Sequence, residues 1–202
     1  MSKNIIPTIG QHVFRYDPPK YTEKGAPVLA CNPTKPEIME AEKNNNEPKY
    51  QFLGSGYYFW DNNIQRAHRW GEEHCDGKYL ICECSLVLQG ESFLDLVGSR
   101  EDLGKFLEVY MKMRKFDPNL KIGAFFYTMQ VIAKYQPNTW PYTIIRALNV
   151  KRGKNEAPYN HLYNAKMLLD PEIIICFYNK NELNLQNSRY LDKNNCVWTP
   201  KI

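Results

Sequence analysis

The segment Leu53-Gly54-Ser55-Gly56-Tyr57-Tyr58-Phe59-Trp60-Asp61 decides the reading of this chain. Two glycines around a serine make a turn, and the four aromatics that follow read as a short strand. Asp61 carries a side chain suited to cap a helix. Ile64, Ala67 and Trp70 then recur at helical spacing, and Gly71 stands where that helix should end. Aromatics in series beside glycines suit a flat ligand held against closely approaching backbone.

Upstream, His12-Val13-Phe14-Arg15-Tyr16 reads as a strand stopped by Asp17-Pro18-Pro19. Residues 18–50 form a long polar insertion near the N-terminus, rich in Pro, Lys and Asn, with one short helix expected over Pro36 to Lys43. Downstream, Lys78 to Leu88 is rich in strand formers, and Phe93 to Leu96 follows the break at Gly90. Ser99-Arg-Glu-Asp102 has the pattern of a capping box, opening a helix whose apolar face is expected to be Leu103, Phe106, Leu107 and Tyr110. A second helix is expected from Ile122 to Tyr135, then a strand over Thr143 to Leu148 and a polar loop over 151–165. Pro171 to Tyr178, with three isoleucines in a row, is apolar on both faces as a central strand would be. The Asn-rich stretch 184–202 reads as a loosely held tail.

This order lacks regular strand–helix alternation, so the fold class is α+β, with one domain over 1–202. The net charge of +4 permits an anionic ligand or a nucleic acid without demanding one. No apolar run approaches the ~20 residues of a membrane span, and the first residues lack an apolar signal core. The expectation is a cytoplasmic protein with no membrane partner and reduced thiols. His74, Cys75, Cys82 and Cys84 lie close in sequence, but no Cys-x-x-Cys is present. Cys82 and Cys84 share one strand face, where cysteine behaves as a small hydrophobe, so no metal is expected.

Gly-Ser-Gly-Tyr-Tyr-Phe-Trp-Asp followed by Asn-Asn-Ile-Gln-Arg-Ala-His-Arg-Trp resembles the central motif of the ADP-ribosyltransferase superfamily. It looks most like the poly(ADP-ribose) polymerase branch and bacterial toxin-like domains, with Tyr58 and Ala67 at the matching aromatic and small positions. A first strand carrying His12 and Arg15, the stretch Leu88 to Leu96, and a late strand opening near Glu172 follow in the order of that family.

The resemblance implies a split β-sheet core with flanking helices, NAD as co-substrate, and mono-ADP-ribosylation of a macromolecule (RNA, DNA or protein). Bacterial relatives include toxins and defence effectors, so it also implies a neutralising antitoxin protein as a possible partner. Tyr58 would stack on nicotinamide, with Gly54 and Gly56 admitting the backbone and Tyr57 and Ser55 beside them. Glu172 would polarise the ribose and stabilise its developing positive charge, with Asp170 as the rival acid. An ungapped match instead puts Ile174 at the acid's position, which would leave an inactive NAD- or nucleic-acid-binding module. Arg15 or His12 would hold the ribose. The two lie on opposite strand faces, and only one face was expected to meet a ligand, with Arg15 preferred. His68 reads as facing solvent, His161 as a loop residue able to approach a substrate, and Arg146 as an ion-pair partner on an edge strand. An unrelated RNA-binding or phage-type structural protein stays open as a third reading.

Overall fold

The computed structural model describes residues 5–15, 50–149, 160–162, 165–167, 171–183 and 187–197. The helix expected over Pro36 to Lys43, most of the insertion 18–50, and Asp170 lie outside these residues. Strand β1 (Ile6–Arg15) starts earlier than the sequence pattern implied. It is followed by β2 (Tyr57–Asp61), α1 (Ile64–His74), β3 (Tyr79–Leu88), β4 (Phe93–Asp95), α2 (Arg100–Arg114) and α3 (Ile122–Tyr135). Then come β5 (Ile144–Leu148), β6 (Asn160–Leu162), β7 (Ala165–Met167), β8 (Ile173–Phe177) and β9 (Arg189–Leu191). The fold class is α+β, as expected. Seven strands form one mixed sheet in the order β4-β5-β8-β2-β1-β3-β9, while β6 and β7 pair separately, β6 within the expected polar loop and β7 starting at its last residue.

Strand β8 is central, between β2 and β5, which explains its unbroken apolar run. Alternation along the strands sorts the core into two faces. Leu53, Leu94, Phe106, Phe125, Phe126, Trp140, Ile145, Ile174 and Cys176 cluster under α2 and α3. Val13, Ala67, Tyr79, Ile81 and Leu191 cluster under α1. The opposite face carries Phe59, Cys82, Cys84, Leu86, Phe93, Ile144, Ile175 and Phe177 in one continuous cluster. Each large side chain buried this way contributes about 1.5–3 kcal/mol. Gly10 of β1 lies beneath this cluster. A Cβ there would lie 2.4 Å from Leu86 Cδ1 on one neighbouring strand and 2.9 Å from Phe59 Cδ1 on the other. The two side chains therefore converge over β1 in the space a Cβ would fill.

Several local expectations are corrected by tertiary contacts. Asp61 does not cap α1: it remains in β2, held by the Arg146 guanidinium at 2.7 Å and by the Thr8 hydroxyl. Asn63 caps instead, its Oδ1 accepting from Arg66 N at 3.1 Å, after a left-handed turn at Asn62. Gly71 does not end the helix. It is buried inside it, against the Tyr79 ring. Ser99 caps α2 as expected, but the Asp102 carboxylate turns away to accept from Asp95 N at 3.0 Å. Phe106 is buried and Tyr110 packs against the core, as the expected face requires, but Asp102 is buried with them and Leu103 and Leu107 are exposed, contrary to that expectation. Residues 189–191, read as part of a loose tail, pair with β3 and bury Leu191. His68 is not turned to solvent: Tyr79 OH lies 3.0 Å from its Nδ1 and Asn195 Oδ1 lies 2.7 Å from its Nε2, tying α1 to that C-terminal segment.

A candidate functional site where β1 leaves β2

Strand β1 is bonded very unequally on its two sides. It pairs with β3 from Ile6↔Leu88 to Arg15↔Tyr79, but with β2 only at Gly10↔Asp61 and Gln11↔Trp60. Beyond Gln11 a cavity of about 250 Å³ opens beside the two strands. The sheet contributes His12, Val13, Tyr58, Phe59, Trp60 and Ile174 to its wall, α1 contributes Trp70 and His74, and the connections contribute Gln51, Phe52 and Asn149. Both His12 and Val13 reach it, although they point to opposite faces. The cleft lies at a split strand edge, so the one-face rule that set Arg15 against His12 does not apply.

His12 is buried, and its ring lies 5.3 Å from that of Phe59. Its Nδ1 is 2.7 Å from the Tyr58 carbonyl oxygen. A carbonyl only accepts, so Nδ1 carries the proton of the neutral ring. Burial lowers the imidazole pKa from 6.5 to about 4, with the Tyr58 carbonyl bond opposing the shift. His12 is therefore a neutral, fixed donor that bridges the strands where the ladder stops.

Tyr58 lines the cleft, and its hydroxyl is engaged by the glycine turn. The hydroxyl donates to Gly54 O at 2.6 Å and accepts from Leu53 N at 2.9 Å. Burial, with Cys176 adjoining, raises its pKa well above the ordinary tyrosine value. The phenol stays protonated and pins the glycine turn to the strand.

The glycines themselves do not line the cleft. Gly54 has φ +83°, and a Cβ there would sit 2.8 Å from Gln130 Oε1 on α3. A Cβ on Gly56 would sit 2.5 Å from Cys176 Sγ and 2.7 Å from Phe177 O on β8. At both positions neighbouring protein occupies the space a Cβ would need. Ser55 is held through its backbone by the Gln130 amide, at 3.0 and 2.6 Å. It borders a different cavity of about 470 Å³ with Tyr127, Lys134, Tyr142 and Thr143. Tyr57 packs against the apolar cluster on the opposite sheet face. The cofactor-binding set inferred from sequence is thus divided, and only His12 and Tyr58 of it meet in the cleft.

Arg15 is likewise outside the cleft. As the last residue of β1 it is half exposed and pairs with Asp76 at 3.3 Å. Glu172 precedes β8 and is buried, with Oε1 2.8 Å from Arg66 Nη1 of α1 and Oε2 accepting from Asn149 Nδ2 at 3.1 Å. It shares a neighbour, Asn149, with the cavity but is not part of the lining, whereas Ile174 is. Arg146 forms the expected ion pairs, with Asp61 at 2.7 Å and Asp95 at 3.2 Å, although β5 is an interior strand. The side chain of His161 lies outside the described residues.

Sequence reasoning missed Trp70, His74 and Asn149 as cleft residues. The available signal was Arg66, Trp70 and His74 at i, i+4 and i+8, one above another on α1. Trp70 and His74 stack at 4.7 Å and 11°.

No family model, curated protein or solved structure significantly matches the chain. Among the described residues, no group of three or more His, Cys, Asp or Glu is placed to hold a metal ion. None of the described helices is long and apolar enough to cross a membrane.

Proposed function

We propose that the cleft takes the nicotinamide end of NAD and that the chain is a mono-ADP-ribosyltransferase acting on a macromolecule, RNA, DNA or protein. The observation that carries this reading is the split beside β1: Tyr58 and His12, from the two strands that part there, share one small, largely aromatic cavity. On this reading the mixed sheet, parting between β1 and β2, is the split core of an ADP-ribosyltransferase domain. The volume falls below the range of about 300–1,000 Å³ typical for whole drug-sized ligands, so the cavity suits one planar ring with its sugar rather than a dinucleotide. Tyr58, Trp60 and Trp70 supply aromatic surface for the ring. His12, rather than Arg15, is the polar side chain of β1 that reaches the cleft.

Departure of nicotinamide leaves cationic character on the ribose, which a nearby carboxylate would stabilise. Glu172 is that carboxylate once its ion pair with Arg66 is exchanged for the substrate. With NAD labelled in nicotinamide, release is expected to fall at least ~100-fold in Tyr58→Ala and in Glu172→Ala, the scale of losing one electrostatic or positioning group. Undiminished release in both variants sinks these assignments.

A second reading has an observation of its own. Both Glu172 oxygens are engaged by Arg66 and Asn149, and Ile174 faces the cavity. This favours a module that binds NAD or nucleic acid without turnover. It predicts a rise in melting temperature with NAD, by mass action, and no nicotinamide release.

A further inference from the structure

Helix α1 ends on His74, which lines the cleft with Trp60 and Trp70 yet is solvent-exposed. Its imidazole lies nearly parallel to the Trp70 ring, 4.7 Å between centroids. Its Nδ1 is 3.0 Å from the Trp70 carbonyl oxygen. The carbonyl can only accept, so the neutral ring holds its proton on Nδ1 and its lone pair on Nε2. Flipping the ring would put Cδ2 in place of Nδ1 and lose that bond. The cleft therefore has two imidazoles in different circumstances. His12 is enclosed and bonded to the Tyr58 carbonyl, while His74 stands at the solvent side with its tautomer set for accepting a proton.

We propose that His74 is the general base that deprotonates the acceptor, and that the acceptor atom is consequently a neutral O–H or N–H group rather than a carboxylate or terminal phosphate. This rests on the ADP-ribosyl-transfer reading. In the step, the ribose C1′–nitrogen bond breaks and nicotinamide leaves with the electron pair. The acceptor O or N forms the new bond to C1′. Its proton passes to His74 Nε2, and the imidazolium then releases it to water. An acceptor that is already anionic needs no such group. Trp70 acts as a positioning residue, holding the ring by stacking and by its carbonyl.

The test uses the full chain with NAD and three simple nucleophiles: water, methanol and azide. His74→Ala removes the imidazole. His74→Asn keeps a donor for the Trp70 carbonyl and so preserves the helix end. Both variants are expected to lose nicotinamide release at least ~100-fold with water and methanol, the lower range for general-base catalysis. Azide, an anion, is expected to restore release in both and to appear as an ADP-ribosyl azide by mass spectrometry. Wild-type rates for both variants with water and methanol would overturn the assignment of His74 while leaving the NAD reading intact. Loss without rescue by azide would also overturn it, because the residue would then be structural. No release by the wild-type chain with any of the three would overturn both readings together.

Discussion

The His12 imidazole gives the fold a specific sensitivity to acid. In the unfolded chain its pKa is the ordinary 6.5, and in the folded protein it is about 4. Between these values the unfolded state binds more protons, so stability falls as pH falls. The His12 contribution is fully present above pH 6.5 and is lost as pH drops through 4. At about 1.4 kcal/mol per pH unit, the gap between 6.5 and about 4 amounts to about 3 kcal/mol. Integrating the two titrations from pH 7.5 down to pH 5 gives about 2 kcal/mol, in a range above the ordinary carboxylate pKa values of about 4. The assay is urea unfolding at half-unit pH intervals over that range, on wild type and on His12→Gln. Gln retains an amide donor for the Tyr58 carbonyl but does not titrate. The wild-type midpoint is expected to fall relative to the variant by the equivalent of about 2 kcal/mol at pH 5. Parallel curves, within about 0.5 kcal/mol, would refute the burial argument for His12, whatever the variant's absolute stability.

Two further outcomes follow from packing and charge. Gly71→Ala in an exposed helix interior would stabilise by about 1 kcal/mol; here the added Cβ would lie 2.6 Å from the Tyr79 ring, so a loss of about 1–3 kcal/mol is expected in denaturant melts. Arg146→Met leaves Asp61 and Asp95 buried without their cation and is expected to cost about 3–5 kcal/mol; a cost below about 1 kcal/mol would show that other groups satisfy both carboxylates.

Much of the architecture was legible because local pattern and tertiary need agreed. The isoleucine run of β8 and the span Ile122–Tyr135 of α3 are cases of that kind. The departures arose where a distant residue redirected a local preference. Asp61 is a good cap by composition, but Arg146, 85 positions later, takes its carboxylate. Asp102 leaves the capping box because Asp95 N needs an acceptor, and its side chain is buried on a face where two leucines were expected, which are exposed instead. Gly71 stays helical because a ring occupies the space of its missing Cβ. The candidate site was legible in its aromatic strand and in His12. Only one sheet face was assumed to meet the ligand, and Arg15 was preferred over His12 because it stands where the resemblance puts the ribose-holding residue. Gly54 and Gly56 were read as ligand contacts although their neighbours are Gln130, Cys176 and Phe177. Trp70 was read only as part of the apolar face of its helix and His74 only as a rejected metal ligand, so neither was assigned to a cleft.

The unequal bonding of β1 has a mechanical consequence. Ten register pairs weld it to β3, and two join it to β2. The main sheet therefore behaves as two plates sharing a narrow joint, and the joint adjoins the cleft. Widening the cleft strains two pairs, the His12–Tyr58 bond and the bonds of Thr8, Ile9 and Gln11 to Asp61, Asn62 and Asn63, while the ladder to β3 can travel with β1 unbroken. A ligand that bridged the plates would tighten the molecule along its weakest seam, so affinity and resistance to unfolding would rise together.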